Sequence, residues 1–344
     1  MPDPHSQFHR QPATQRHALA LALAALDAQQ TPGEQLKQLI AQGFDQLPLP
    51  GHGATLQRWQ CLALVAGYDL ALLKLYEGHT DVLAILAELR GPEHPGASWG
   101  VWCAEPPNAA VTLRQTGDAQ YVLAGRKQWC SGAAALSHAL VSCLDANGER
   151  RLAAVALRGP GVTITDEGWH AVGMAATASV DVLFDDALAT PVGAPGAYLA
   201  RPGFWHGGAG IAACWYGAAQ SLADQLHTGG PDADPHRLAH LGAVDIAMSA
   251  AAALLRQTAA AIDAAPQADA ALPALRLRLA VEAAVNTVLH HVTRALGAGP
   301  LCRNAHFARM AADLPVFLRQ SHAERDLASL GSMLARQEAS PWAP

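Results

Sequence analysis

The spacing of apolar residues changes twice along this chain, from three-to-four to two and back again. One kind of element cannot satisfy both periods, so the chain must alternate helical and stranded layers. Over 14–89 the pattern is helical. Thr31-Pro32-Gly33-Glu34 reads as a capping box with proline in the first turn. Leu36, Leu39, Ile40 and Phe44 then follow on one helix face, and Pro48-Leu49-Pro50-Gly51 breaks the run. The stretch from Leu56 to Leu89 resumes helix and is expected in two pieces parted near Gly78.

After Pro92, Pro95 and Gly96 the period falls to two. Val111–Arg114 and Tyr121–Ala124 flank Gly117-Asp118, and His138–Leu144 and Arg151–Leu157 flank Asp145-Ala146-Asn147-Gly148. Both read as hairpins, Asn-Gly being the stronger signal because a tight hairpin turn requires positive φ. Val162–Thr165 and Val180–Phe184 add strands. Several short strands at this spacing predict a small barrel or sandwich. Beyond the Pro- and Gly-rich stretch 191–203, four helical segments are expected over 205–226, 235–264, 273–296 and 304–336, with prolines at or near their junctions. The expected class is therefore α+β. It has an N-terminal helical domain over 1–95, a central β domain over 96–195 and a C-terminal four-helix bundle over 196–344.

Composition narrows the function classes. The chain is 51% hydrophobic but 6% aromatic and 15% charged. Alanine supplies roughly a fifth of all residues, which favours helices over an all-β fold. Such a chain is not disordered. A net charge of −6 with scattered basic residues argues against nucleic acid and anionic membranes as partners. No uninterrupted apolar run is expected to reach the roughly 18 residues of a membrane span. The run Ala18–Leu26 reads as a first helix rather than a signal peptide, which makes the cytoplasm the expected location. The six cysteines contain no CxxC pair, so they read as reduced thiols and no metal site is expected. His322 and Glu324 have a zinc-deaminase spacing without the following cysteines, and adjacent His290-His291 point apart on a helix. Walker A and strand-linked GxGxxG loops are absent.

Three segments carry a resemblance. Trp102-Cys103-Ala104-Glu105-Pro106 is followed by Gly125-Arg126-Lys127-Gln128-Trp129-Cys130-Ser131-Gly132-Ala133, and then by Val172-Gly173-Met174-Ala175-Ala176-Thr177-Ala178-Ser179. In order and spacing these resemble the flavin-binding middle domain of the acyl-CoA dehydrogenase superfamily, and the helix–β–helix order extends the resemblance over nearly the whole chain. It implies FAD as cofactor, an acyl-CoA or related thioester as substrate, an electron acceptor left open, and a homodimer or homotetramer. It places Cys103, Ala104, Trp129, Ser131, Gly297 and Gly299 at the cofactor. On a strand Trp129 and Ser131 would share a face, offering an indole wall and a hydroxyl donor to a flat ring. A core tryptophan beside a turn serine is the plain alternative, as a helix C-cap is for the late glycines.

The departures bear on chemistry. The family's flavin-contacting threonine is Ala104, Pro107-Asn108-Ala109-Ala110 replaces its Gly-Ser-Asp loop, and no pyrophosphate-binding arginine stands in His227-Thr228-Gly229-Gly230-Pro231. Matching Arg309–Leu314 to the family pattern puts the catalytic glutamate's position at or beside Ser321, where Gln320, Ser321 and His322 offer no carboxylate. Glu324 and His322 are the nearby candidates, and His206 is the candidate on the first bundle helix. Tyr76-Glu77-Gly78 copies the family tripeptide in the wrong domain. His322 also resembles the flavin-dependent monooxygenase and oxidase branch. That gives two alternatives to FAD-dependent thioester oxidation: a two-component monooxygenase or oxidase, or a non-catalytic member that has lost tight flavin binding.

Overall fold

The computed structural model describes residues 12–105, 110–228, 230, 234–340 and 342. Four helices come first: α1 (Pro12–Ala24), α2 (Pro32–Ala41), α3 (Thr55–Tyr68) and α4 (Leu70–Leu89). The capping box at Thr31 and Glu34 is present in both directions. The break between α3 and α4 falls at Asp69, not near Gly78. Asp69 is extended and its side chain accepts from the Leu72 amide, so it starts a new helix. Gly78 lies inside α4 facing Val101 with ordinary clearance. Ala54, the residue before α3, supplies no cap of its own. Asp263, far along the chain, accepts from the Gly53 and Thr55 amides instead.

Seven strands follow: β1 (Trp99–Trp102), β2 (Val111–Gly117), β3 (Gln120–Cys130), β4 (His138–Leu144), β5 (Arg150–Ala156), β6 (Val162–Ile164) and β7 (Val180–Val192). Both expected hairpins form, β2 with β3 and β4 with β5. The pairings run β4–β2–β3–β7–β5 and back to β4, with β1 added beside β4 and β6 on β7. This is a small closed barrel, so the sandwich alternative is corrected: β5 pairs with both β4 and β7 and closes the ring.

The C-terminal region holds α5 (Ala197–Ala200), α6 (Gly203–His227), α7 (Pro235–Ala264), α8 (Ala271–Leu296), α9 (Ala298–Arg303), α10 (Ala305–Phe317) and α11 (Glu324–Leu334). The expected fourth bundle helix is broken into pieces. After α10 the chain tightens into a 3-10 turn at Leu318–Gln320, and Ala323 takes a left-handed φ of 49°. No uninterrupted apolar run in α7 reaches 18 residues, Asp245 and Arg256 interrupting it. By length and composition alone α7 could span a bilayer, because alanines raise its hydropathy.

α4 is the axle of the molecule. One face carries Val82, Ile85 and Leu86 against Trp99, Leu140 and Leu152 of the barrel. His79 fixes its register there, accepting from the Trp99 amide at 3.2 Å through Nδ1 and pairing with Asp45 through Nε2. α3 and α6 cross tightly at Gly217, where an added Cβ would lie 2.1 Å from the Ala63 carbonyl oxygen.

Candidate active site

The end of β3 departs from strand geometry. Its pairing with β7 shifts register between Lys127 and Cys130, a bulge that leaves Trp129 at a left-handed φ of 59°. Cys130 stays in the core, and Trp129 is turned outward with 49% of its surface exposed. The Ser131 amide then donates back to the Trp129 carbonyl at 3.0 Å, closing a tight turn. Trp129 and Ser131 therefore do not share a strand face as their spacing predicts. The bulge and turn bring indole and hydroxyl to the barrel end by a different route.

From Ser131 a chain of hydrogen bonds crosses to the bundle. The Ser131 and Ser179 hydroxyls lie 2.7 Å apart, and Ser179 and Thr177 2.9 Å. Thr177 donates to the Met174 carbonyl at 2.7 Å, and the Met174 amide donates to Asp313 of α10 at 2.5 Å. Burial raises the Asp313 carboxyl, which the Met174 amide partly offsets. Gly173 explains the close docking: a Cβ there would stand 2.2 Å from the Ala312 carbonyl oxygen. The segment 172–179 was legible as a motif. Its service as a clamp between barrel and α10 was not, and Thr177, Ser179 and Asp313 were missed as members of one network.

Strained backbone collects here. Among the described residues seven non-glycines have positive φ, and four of them, Trp129, Met174, Ala178 and Ala323, lie on the segments of this candidate site. Such conformations cost of order 1–3 kcal/mol each and persist where surrounding structure enforces them.

The turn after α10 places the remaining candidates. Ser321 is buried and donates to Glu282 of α8 at 2.5 Å, while Arg319 holds the other oxygen of Glu282 at 2.7 Å. Arg278 of α8 ties this turn to α6. It donates to the Gly208 and Gln320 carbonyls at 2.7 and 2.9 Å and covers the Trp215 ring. His322 is 58% exposed, with its amide and Nδ1 on Asp326 at 3.0 and 3.3 Å. Asp326 thus engages Nδ1 and orients the ring. Glu324 sits exposed in the first turn of α11, a solvated helix start rather than a gripped base.

Other expected residues fall elsewhere. His206 is 2% exposed on α6, and its Nε2 has no hydrogen-bond partner among the described residues. It lines a cavity of about 10 Å³ with Arg58, Glu77 and Asp81, and burial lowers its pKa. Cys103 lines a separate cavity of about 180 Å³ with Tyr198 and Ser142. Burial pushes its thiol up to about 11. Ala104 is exposed beyond β1, and Glu105 pairs with Arg150 at 2.9 Å. Residues 106–109 lie outside the described residues, as do 229 and 231 of the short segment after α6. Gly297 ends α8 and Gly299 lies in α9, both in open space, so the helix-cap reading holds for Gly297. Tyr76 donates to the Phe44 carbonyl and Glu77 pairs with Lys74, structural duties that match a coincidental tripeptide.

No protein-family model matches the chain, and no curated protein matches it. Solved structures do. KijD3 in complex with FMN and dTDP-3-amino-2,3,6-trideoxy-4-keto-3-methyl-D-glucose superposes with a TM-score of 0.76 at 20% identity, covering 94% of this chain and 91% of that one. TdsC from Paenibacillus sp. A11-2 with FMN and indole gives 0.78 at 17% identity, covering 96% of each. Methanesulfinate monooxygenase MsuC from Pseudomonas fluorescens gives 0.77 at 19%, covering 96% and 98%. The chain has their fold. Its helical region, small barrel and second helical region are consistent with the acyl-CoA dehydrogenase-like fold that the sequence resemblance implies.

Proposed function

We propose that this protein is a flavin-dependent oxygenase acting on a small organic molecule, with its flavin supplied already reduced, rather than an acyl-thioester dehydrogenase. The observation that carries the reading is the turn at Ser321. Removing a proton α to a thioester carbonyl needs an unprotonated, accessible base. At or beside the position where the resemblance puts the dehydrogenases' glutamate, this chain has a buried serine, Ser321, bound to Glu282, flanked by Gln320 and His322. Glu282 itself is held by Arg319, and Glu324 points into solvent. The accessible proton-exchanging group is His322, oriented by Asp326.

The barrel end fits a flavin by the chemistry of what it presents. A half-exposed indole offers a flat apolar plate, and the adjoining part-exposed Ser131, whose hydroxyl is held by buried Ser179, offers an oriented polar group to a hydrogen-bonding edge. Trp129 and Ser131 would hold the ring, and His322 would give or take the proton that accompanies oxygen transfer. A bound reduced flavin supplies the two electrons needed to activate dioxygen. FMN is preferred to FAD in this reading. Two of the similar structures were solved with FMN, and the late glycines stand in open space with no arginine matched for a pyrophosphate. The small-molecule substrate is supported by the indole and nucleotide sugar named with those structures. A homodimer or homotetramer and a cytoplasmic location remain part of the proposal. The exposed alanine-rich face of α7 supports the former.

The test is oxygen uptake by the purified protein with reduced FMN and a panel of indoles, thioethers, sulfinates and amino sugars, run beside acyl-CoA oxidation with a dye acceptor. Substrate-dependent product carrying one oxygen from ¹⁸O₂ is the expected result. Dye reduction by acyl-CoA without oxygen incorporation would overturn the reading, as would a protein that takes up no flavin in either redox state.

A further inference from the structure

A cavity of about 870 Å³, larger than those described above, takes no part in the candidate active site. It opens between α1, α3, α6 and α7, and no residue of the barrel, of α4 or of α10 lines it. Its volume falls in the range of small-molecule pockets, about 300–1,000 Å³. α3 and α6 approach closely at Gly67 and Gly217, which both line the cavity, and α1 and α7 supply its other walls. Its lining is mostly apolar, with Trp59, Leu56 and Leu255 among the large side chains and Tyr68 and Tyr216 adding phenol rings.

The polar groups at this cavity are unevenly charged. Arg16 of α1 and Arg256 of α7, both exposed, reach it from two different helices, and among the described residues Asp224 is the single carboxylate in the lining. Among the described residues neither arginine forms an ion pair. Two unpaired guanidinium groups beside an apolar wall favour a molecule with an apolar body and a single negative end. Trp59 also lines the small cavity that holds His206, so it forms the partition between the two.

We propose that this cavity is a second ligand site, separate from the flavin end of the barrel, for an amphipathic carboxylate. The apolar body lies on Trp59, Leu56 and Leu255, and the acid group is held by Arg16 and Arg256. The site stands whether or not the barrel end binds flavin.

Calorimetric titration of the full chain with decanoate, below its micellar range, tests this. One decanoate per chain is expected, with decyltrimethylammonium binding at least tenfold more weakly. The double variant Arg16→Glu, Arg256→Glu should lose tenfold or more in decanoate affinity. Ala252→Phe, which fills the cavity from α7, should abolish binding while the melting temperature holds. FMN titration and turnover should be unchanged in both variants, which separates this site from the proposed active site. The proposal is overturned by the absence of saturable decanoate binding, by equal affinity for the cation, by undiminished binding in both variants, or by decanoate displacing FMN.

Discussion

Two histidines that the sequence nominates for the same task stand in opposite surroundings. His206 is sealed inside the α6 cleft, its Nε2 unpartnered and its pKa lowered by burial. His322 sits on a turn open to solvent, oriented by Asp326 and braced through Ser321, Glu282 and Arg278. The contrast extends to the His206 cavity and to the barrel end, which α10 clamps through Asp313 before the His322 turn. Around His206 charged groups crowd a space for about one water. The barrel end exposes Trp129 on strained backbone, and its hydroxyls are satisfied in a chain that ends on Asp313. A reacting group needs access and a fixed orientation together; His322 has both, and His206 lacks access.

Four substitutions probe that contrast. The largest effect is expected from His322→Ala, which should lower turnover by about 10²- to 10⁴-fold, the usual worth of a positioned acid or base. Flavin affinity and melting temperature should hardly move. A variant with full turnover would remove His322 from the chemistry. Next, Asp313→Ala leaves the buried Met174 amide without its acceptor and should cost about 1–3 kcal/mol in denaturant unfolding. An unchanged midpoint would mean that the clamp between barrel and α10 carries no stability. Ser131→Ala should then weaken flavin binding about tenfold, or about 1.4 kcal/mol, and leave Ser179 bonded to Thr177. Unaltered affinity would move the ring's edge away from Ser131.

The smallest effect belongs to His206. Its folded pKa lies below the unfolded value near 6.5, so the unfolded chain takes up a proton first as the pH falls. Stability from the neutral imidazole is therefore complete above about 6.5 and is lost as the pH drops toward the folded pKa. His206→Gln should flatten this acid-side loss by under about 1 kcal/mol without changing turnover. A drop in turnover matching that of His322→Ala would erase the distinction between the two histidines.

The parts of the molecule legible in sequence are those with local causes. The capping box at Thr31 and the turns at Gly117-Asp118 and Asn147-Gly148 act within a few residues, and each appears where expected, as do Pro235 at the start of α7 and Pro266 after its end. What escaped depends on distant partners. Trp129 is pushed out because β3 must match β7 across a bulge, which no reading of 125–133 reveals. The last helix breaks at 318–323 because Ser321 bonds Glu282, 39 residues away. The segment 172–179 was recognisable by its letters, while its role as a clamp needed the sight of Gly173 against Ala312. Ala104, Gly297 and Gly299 show the reverse. Each matches a family position in sequence, and each is exposed or in open space in the fold.

The central claim is that the Trp129–Ser131 end of the barrel holds the flavin. Anaerobic titration of Trp129→Ala with reduced FMN, beside the parent chain, tests it most directly. Because the indole is half exposed, the variant should keep its melting temperature within a few degrees. Its dissociation constant should rise by about tenfold or more, as expected for a lost stacking wall of about 1.4 kcal/mol. A variant that binds reduced FMN as tightly as the parent would contradict the account.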